Sequence, residues 1–169
     1  MEVRVRRATE ADLAAAGQVT VDAYREDGFV PHDSDYLHEL ADAARRSREA
    51  ELWVAVDGEA VVGTVTFCRP GTPFAELARS DEAEFRMLGV ARPARRRGVA
   101  EALVVRCIER ARELGYHGLV LSSMAEMAAA HRLYHRLGFR RDSRRDWSPV
   151  PGVELLAFRL DLGETPAHR

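Results

Sequence analysis

The chain has 169 residues, of which 46% are hydrophobic and 31% charged, and this composition is typical of one soluble globular domain rather than a disordered or fibrous protein. Its formal net charge of -2 argues against a nucleic-acid-binding surface, which usually makes a domain strongly basic. All 25 basic residues are arginine, so Schiff-base chemistry on a lysine and a phosphate loop that ends in Gly-Lys are both excluded.

The N-terminal half predicts a strand, two helices and a β-hairpin. Alternation in "VRVRR" predicts the first strand, and Thr9 followed by Asp12 resembles a capping box that opens a helix over residues 10–26. Apolar residues at helical spacing predict a second helix over residues 34–48. The runs "ELWVAV" and "AVVGTVTF" predict two strands joined by a turn at Asp57-Gly58.

The C-terminal half alternates between predicted strands and helices. "EFRMLGV" predicts a strand, and the next segment carries an apolar helical stripe that ends near Gly115. "GLVLSS" predicts a buried strand, which completes a parallel βαβ unit. One more helix ends at Gly138, and strands follow near residues 139–146 and 153–161. We therefore expect an α/β fold with a mixed sheet of about seven strands, about four flanking helices and the order β-α-α-β-β-β-α-β-α-β-β.

The sequence also carries expectations about domain limits and location. We expect one domain over residues 1–162 and a frayed tail over residues 163–169. The N-terminus has no apolar core of a signal peptide and no stretch is apolar enough to span a membrane, which favours a cytoplasmic protein without a membrane partner. Cys68 and Cys107 fit no metal or redox spacing, so we expect buried thiols.

Two histidines on the last predicted helix invite a metal interpretation. His131 and His135 lie four residues apart, which places them on one helical face. A two-ligand site is incomplete, and no further ligand accompanies them in the sequence pattern. We therefore expect surface histidines and no metal.

Four arginines fall within six positions at the start of a predicted helix, in "VARPARRRGVAEAL" at residues 90–103. A helix N-terminus exposes unpaired backbone N–H groups and attracts anions. Gly98 lets a ligand approach the backbone, and arginine side chains add paired contacts to phosphate oxygens. Because the cluster follows a strand of the βαβ unit, where ligands of α/β sheets bind, the sequence predicts a phosphate-binding site. A solvated surface turn is the structural alternative.

The common nucleotide-binding motifs are absent, so another phosphate-bearing ligand is needed. The stretch "LGVARPARRRGVA" resembles the acetyl-CoA motif of the GNAT family of N-acetyltransferases, in which a strand ending in Leu-Ala-Val precedes x-Pro and then Arg/Gln-x-x-Gly-x-Gly/Ala at a helix start. A second family motif, A-x-x-L-Y-x-x-x-G-F, matches "AHRLYHRLGF" at residues 130–139. Both motifs stand in the family's order, and the predicted elements resemble the family's over nearly the whole chain.

The resemblance implies that acetyl-CoA is the co-substrate. The backbone of the strand would pair with the pantetheine arm where two strands splay apart. Amides of residues 95–100, called the arginine turn below, would hold the pyrophosphate. The implied cofactor-binding residues are Leu88, Gly89, Val90, Arg95, Arg96, Arg97, Gly98, Val99 and Ala100.

Three positions depart from the family pattern. Arg96 stands where many members have glycine, and Gly89 replaces a usual alanine. Met127 stands where many relatives place an asparagine that contacts the cofactor, so one polar contact is lost.

Acyl transfer from a thioester to an amine requires a proton for the leaving thiolate. A phenol with a pKa of about 10 can protonate or hydrogen-bond a thiolate whose thiol has a pKa of about 8.5. Tyr134 matches the family's tyrosine in this role. The structural alternative is an amphipathic core tyrosine.

The attacking amine must also lose a proton. By resemblance Glu84 would accept it directly or through water, with Asp81 and Glu82 as nearby rivals. Strand alternation places Glu84, Arg86 and the cofactor-binding residues Leu88 and Val90 on one face. An ion pair between Glu84 and Arg86 is therefore the structural alternative.

The acceptor site would by resemblance lie across the gap in the sheet, lined by residues 24–36 and 144–153. Candidate wall residues are Tyr24, Asp35, Tyr36 and Trp147. Acidic and aromatic groups suit a cationic amine, but loop aromatics equally often cover a core.

The leading hypothesis is an acetyl-CoA-dependent N-acetyltransferase that acts by direct attack of an amine on a small molecule or peptide. The alternative is a domain that binds acyl-CoA as a sensor without turnover. We expect no nucleic-acid partner, and a homodimer is compatible with the sequence, which does not specify the oligomeric state.

Overall fold

The computed structural model describes residues 2–163, and its strands form one mixed sheet. The strands are β1 (Val3–Arg7), β2 (Glu51–Asp57), β3 (Ala60–Cys68), β4 (Glu82–Val90), β5 (Gly118–Met124), β6 (Arg140–Arg141) and β7 (Leu155–Asp161). The α-helices of this part of the chain are α1 (Leu13–Glu26), α2 (Tyr36–Ala41), α3 (Ala43–Glu49), α4 (Val99–Glu113) and α5 (Ala128–Arg136). The sheet order is β1-β2-β3-β4-β5-β7-β6, and β4 and β5 are its parallel pair.

The element order confirms the predicted fold class, with one difference among the helices. The predicted helix over residues 34–48 is two helices, α2 and α3, because Asp42 leaves the helical conformation at φ -83° and ψ 67°. Its side chain accepts a hydrogen bond from the backbone N–H of Arg45 at 3.1 Å and caps α3. Residues 2–163 therefore contain five helices instead of about four.

The structure also bears on three other local predictions. The backbone N–H of Thr9 donates to Asp12 at 2.7 Å, as a capping box requires. The predicted strand over residues 139–146 is the two-residue β6, followed by a 3₁₀ turn at Ser143–Arg145. Of the predicted tail, only Gly163 lies within the described residues. The domain limit at residue 162 therefore stays a prediction.

The two faces of the sheet carry different helices. The predicted apolar stripe of α4 is buried against Phe85 and Leu119, together with Leu133 and Tyr134 of α5. The other face is covered by α1, α2 and α3. Cys68 and Cys107 are free and buried, on opposite faces, as predicted.

A bulge in β4 changes which side chains share a face. Met87 has a left-handed backbone at φ 58°, and the pairing of β4 with β3 shifts between Thr64 and Thr66. Arg86 and Met87 consequently lie on the α2 side, where Arg86 contacts Phe74 and Glu76, whereas Leu88 packs with the core under α4. The predicted common face for Glu84, Arg86, Leu88 and Val90 is therefore wrong.

The same strand separates from its parallel neighbour. Pairing between β4 and β5 covers only residues 82–84 and 118–120. From residue 85 to residue 90, across the bulge, β4 has no partner on the β5 side, which leaves a gap that opens toward α4. This is the splayed pair that the family resemblance implies.

Candidate functional site

A cavity of about 710 Å³ occupies the end of the gap between β4 and β5. Its walls come from β4, the arginine turn, the first turn of α4, one face of α5 with the two residues before it, and the C-terminal end of α1 with the segment that follows. All predicted cofactor-binding residues except Arg97 line it, namely Leu88, Gly89, Val90, Arg95, Arg96, Gly98, Val99 and Ala100. The structure therefore brings the predicted set together around one space.

The arginine turn presents a row of unused backbone donors. Within residues 2–163, the backbone N–H groups of residues 96–100 donate to no protein acceptor. They stand at the N-terminus of the 15-residue helix α4, where the helix dipole adds partial positive charge. Four of these five residues line the cavity, all but Arg97, and adjacent unpaired donors of this kind can hold an anion with several oxygens.

Two residues of this turn have left-handed backbones. Gly98 caps α4 at φ 76°, and no atom lies within 4 Å of the position that a Cβ would occupy. Arg96 has φ 64° at the position where the family often carries glycine. This departure therefore keeps the backbone conformation that glycine favours, at a cost of about 1–2 kcal/mol in strain.

The other two departures also have local explanations. A Cβ on Gly89 would lie 3.2 Å from the Ala23 Cβ, so the close approach of α1 favours glycine here. Met127 caps α5 and lines the cavity, and its sulfur accepts a hydrogen bond from the Ser123 hydroxyl at 3.6 Å. A thioether thus replaces the amide of many relatives in the cavity wall.

Ion pairs cross the cavity at two places. The Arg95 Nη1 lies 2.7 Å from the Asp27 Oδ1, which joins the arginine turn to the end of α1. The Arg136 Nε lies 3.6 Å from the Glu101 Oε1, which joins α5 to the first turn of α4. Arg96 also lines the cavity and makes no ion pair within the described part of the chain.

Tyr134 lies in an aromatic cluster next to the cavity. Its ring centroid is 5.9 Å from that of Phe85, 5.6 Å from Phe158 and 5.8 Å from Phe139. Burial raises the pKa of Tyr134, so the hydroxyl keeps its proton near neutral pH. Among residues 2–163 the hydroxyl has no hydrogen-bond partner, and Leu133 beside it lines the cavity. Its acid role stays a prediction.

Glu84 is fully buried, and its two carboxylate oxygens differ in environment. Oε1 accepts hydrogen bonds from the backbone N–H groups of Glu76, Leu77 and Ala78 at 3.0, 2.7 and 2.9 Å. Oε2 is buried without a partner. Burial raises the pKa of Glu84 despite these hydrogen bonds. The side chain therefore anchors the β3–β4 loop and keeps one oxygen unused.

The alternative pairing of Glu84 with Arg86 does not form. The Arg86 Nε instead lies 2.8 Å from the Glu76 Oε1. The rival base Glu82 is held at 2.8 Å by both Arg145 and Arg159. Burial opposes ionisation of Glu82, but these arginines lower its pKa to about 2, which makes it a poor base. Asp81 is exposed.

The predicted acceptor residues do not converge on one point. Tyr24 lines the cavity, and its ring packs edge-on to that of Tyr36 at 6.4 Å. Asp35 is exposed beside Tyr36, and the Trp147 Nε1 donates to the Ser122 hydroxyl at 3.1 Å away from the cavity lining. Of these four side chains, the two tyrosines are the pair whose rings pack together.

Several cavity residues escaped the sequence reasoning. They come from α1, the segment after it, α4 and α5, and they are Asp27, Phe29, Glu101, Glu126 and Arg136. Asp27 and Phe29 lie in the segment 24–36 that the family resemblance places at the acceptor site, but the sequence singles out neither. Glu101 could have been suspected, because it follows the arginine turn directly.

The histidine pair is not the expected surface pair. The His131 Nε2 lies 3.0 Å from the Ser123 hydroxyl and its ring is 5.0 Å from Phe158, so the side chain is half-buried. His135 is exposed. No group of three metal-ligating side chains occurs within residues 2–163.

A parallel strand pair that splays beside five unpaired amides at a helix start offers a free strand edge next to a place for an anion. The family model described as "Acetyltransferase (GNAT) family" matches residues 18–139, which include the gap, the arginine turn and Tyr134. The chain belongs to the GNAT family of acetyltransferases.

Similar proteins extend this result. N-acetylaspartate synthetase of Danio rerio is 38% identical over 116 residues, which are 64% of this chain and 38% of that protein. Human N-acetyltransferase 8B is 35% identical over 121 residues, which are 70% of this chain and 52% of that protein. The chain thus spans about a third to a half of the length of these relatives.

Solved structures show the same fold. The yncA protein of Salmonella typhimurium, solved with its cofactor acetyl-CoA, superposes with a TM-score of 0.71 at 22% identity over 100% of this chain and 99% of that one. Within residues 2–163, no helix combines the length and apolar character needed to cross a membrane.

Proposed function

We propose that the protein transfers an acetyl group from acetyl-CoA to an amine of a small molecule or peptide by direct attack. The observation that carries this proposal is the row of five unpaired N–H groups, residues 96–100, at the end of the β4–β5 gap. These five N–H groups, called the anion cradle below, adjoin an unpaired strand edge. Together they suit a ligand with a pyrophosphate and an extended amide-bearing arm.

The site fits acetyl-CoA in shape and in chemistry. The free edge of β4 at Leu88 to Val90 provides backbone groups for the pantetheine arm, and the turn provides amides for the pyrophosphate. The cavity volume of about 710 Å³ lies in the usual range of cofactor sites, about 300–1,000 Å³. When bound, acetyl-CoA supplies the thioester that an amine attacks.

Tyr134 is the residue that we propose to protonate the leaving thiolate. Its raised pKa keeps the hydroxyl protonated, and no protein acceptor within residues 2–163 competes for that proton. A thiolate is basic enough to take a hydrogen bond or a proton from a phenol.

Glu84 is the residue that we propose to remove the amine proton, acting through a water molecule. Its side chain is fully buried, so a direct contact with the amine is disfavoured and a relay from Oε2 is required. The unpartnered Oε2 supplies the acceptor, and a raised pKa makes the carboxylate a better base near neutral pH than an exposed one.

The acceptor side is proposed from the residues that adjoin the cavity. Tyr24 and Tyr36 form the wall nearest to it, and Asp35 and Trp147 stand farther out. Because the Danio rerio relative is named N-acetylaspartate synthetase, L-aspartate is the first amine to test, before other amino acids, polyamines, aminoglycosides and peptides.

We further propose a cytoplasmic protein with a single catalytic domain over residues 1–162. Two buried free thiols suit a reducing compartment, and all seven strands of residues 2–163 join one sheet. Sedimentation analysis tests for a homodimer, which a mass near twice 18.9 kDa would support.

The proposed function is tested by incubating the protein with acetyl-CoA and the amine panel while free thiol is measured. We expect thiol release with at least one amine. Tyr134→Phe should lower turnover about 100-fold and leave CoA affinity nearly unchanged, since general acid catalysis contributes about 10²–10⁴-fold. Tyr116→Phe is the matched control, because Tyr116 follows the C-terminal end of α4, opposite to the helix start that lines the cavity. Thermal stabilisation by CoA without turnover of any amine would favour the non-catalytic sensor.

A further inference from the structure

Arg95 is held by an ion pair at the edge of the anion cradle. Its Nη1 lies 2.7 Å from the Asp27 Oδ1, and both side chains line the cavity with exposed fractions of 30% and 31%. The two residues are 68 positions apart in the chain, so the pair ties the turn before α4 to the end of α1. The Arg95 Nε also approaches the carbonyl oxygen of Val90 at 3.5 Å.

This arrangement places a carboxylate where a polyanionic ligand should bind. The negative charge of Asp27 repels a pyrophosphate at the neighbouring amides. It also occupies the guanidinium of Arg95, whose planar fork would otherwise bind phosphate oxygens in pairs. Arg96 has no such partner within residues 2–163, so Asp27 restrains Arg95 in particular.

We propose that Asp27 is a positioning residue that binds the Arg95 guanidinium while the cradle is empty and releases it to the pyrophosphate when CoA binds. This change of partner by Arg95 is called the exchange below. This inference rests on the proposed function, because it takes CoA as the ligand. As CoA leaves, Asp27 recaptures Arg95 and compensates its charge. The exchange therefore lowers CoA affinity and speeds release of the product, a step that limits turnover in many enzymes.

The position of Asp27 favours exchange over a fixed structural pair. Asp27 lies after the last residue of α1 and is followed by Gly28, whose left-handed backbone at φ 72° has no atom within 4 Å of a Cβ position. Its side chain accepts a hydrogen bond from Arg95 and from no other group within residues 2–163. Nothing else in this part of the chain fixes the carboxylate to the cradle.

The test is a double-mutant cycle with CoA as the ligand, measured by calorimetry and by the dissociation rate on immobilised protein. Asp27→Asn should tighten CoA binding about two- to fivefold, mostly through slower dissociation, which is the range expected for a partly exposed ion pair. Arg95→Gln should weaken binding, and adding Asp27→Asn to it should tighten binding clearly less than Asp27→Asn does alone, because only the direct repulsion by Asp27 is then removed. Glu26→Gln is the matched control, since it removes the same charge one residue earlier and outside the cavity lining.

Two outcomes would overturn the exchange alone. Weaker or unchanged CoA binding by Asp27→Asn would show that the ion pair merely fixes Arg95 in place. Equal tightening in the Arg95→Gln background, or by Glu26→Gln, would show a general charge effect. Failure of the unsubstituted protein to bind CoA at all would instead overturn the proposed function together with the exchange.

Discussion

Gly98 is the residue whose backbone most directly limits what can replace it. Its φ of 76° is readily adopted only by glycine, although Gly98 lines the cavity and the position of a Cβ has no atom within 4 Å. A methyl group there strains the turn that presents the unpaired amides. The side chains of the arginine turn are therefore less restrictive than its single glycine.

We expect Gly98→Ala to lower the free energy of unfolding by about 1 kcal/mol through left-handed strain. CoA affinity should fall about tenfold or more, equivalent to roughly 1.4 kcal/mol of binding free energy. Gly58→Ala is the matched control, because Gly58 has φ 61° and equally open space in the β2–β3 turn. Calorimetry and thermal unfolding check both variants, and unchanged CoA affinity in Gly98→Ala would contradict the proposed cradle.

At the scale of the elements, a fully buried arginine joins the helices on one face of the sheet. Arg46 of α3 donates to the Thr66 hydroxyl of β3 at 3.1 Å, to the Thr20 hydroxyl of α1 at 3.3 Å and to the Leu40 carbonyl of α2 at 2.7 Å. Burial lowers its pKa to about 10. The two terminal nitrogens of the guanidinium thus donate to neutral oxygens of three elements, while the buried Nε has no partner within residues 2–163. The side chain holds α2 and α3 against the wall that bears Tyr24.

Arg46→Ala should lower the free energy of unfolding by about 3–5 kcal/mol, because it leaves a cavity and removes three buried hydrogen bonds. Arg45→Ala is the matched control on the same helix. Arg45 is partly exposed and pairs with Glu49 at 2.8 Å, so its loss should cost about 1 kcal/mol or less. Chemical denaturation measures the free energy of unfolding of both variants. Equal losses would show that the buried hydrogen bonds of Arg46 do not stabilise the fold more than a surface ion pair does.

The elements also show where sequence reasoning succeeds and where it stops. Strong local signals, such as the Thr9 capping box, the Asp57-Gly58 turn and the stripe of α4, predict their elements because each depends on neighbours in the chain. The first family motif likewise places eight predicted residues around one cavity. These features need no knowledge of distant contacts.

The bulge at Met87 shows the opposite case. A methionine at φ 58° has no sequence signature, yet it reverses the alternation of β4 and moves Arg86 away from Leu88. The sequence does not predict the contact between Asp27 and Arg95 for a related reason, because 68 positions separate the two residues in the chain. Turns and bulges fixed by tertiary packing are the part of the site that the sequence alone does not predict.

At the scale of the whole molecule, one ionic cluster fastens the two halves of the sheet. Glu82 at the start of β4 accepts hydrogen bonds from Arg145 before β7 and from Arg159 on β7, both at 2.8 Å. Arg145 also donates to the carbonyl of Leu77 in the β3–β4 loop. The cluster therefore closes the sheet at the end opposite to the gap, where β4 and β5 are still paired.

The pH dependence of stability follows from this cluster. Burial opposes ionisation of Glu82, but hydrogen bonds from Arg145 and Arg159 lower its pKa from the ordinary 4.5 to about 2 in the folded protein. A carboxyl group whose pKa is lower in the folded than in the unfolded protein stabilises the fold at pH values above its unfolded-state pKa. The contribution of Glu82 is therefore complete above about pH 5 and is lost as the pH falls toward 2. It amounts to at most about 3 kcal/mol.

We accordingly expect Glu82→Gln to be less stable than the unsubstituted protein at pH 7, and the difference should shrink steadily between pH 4.5 and pH 2. Urea unfolding at a series of pH values measures it. Glu109→Gln is the matched control, because the exposed Glu109 pairs with Arg106 at 2.9 Å and its loss should give a small change. A difference for Glu82→Gln that stays constant down to pH 2 would mean that the charge of Glu82 does not hold the paired end of the sheet together.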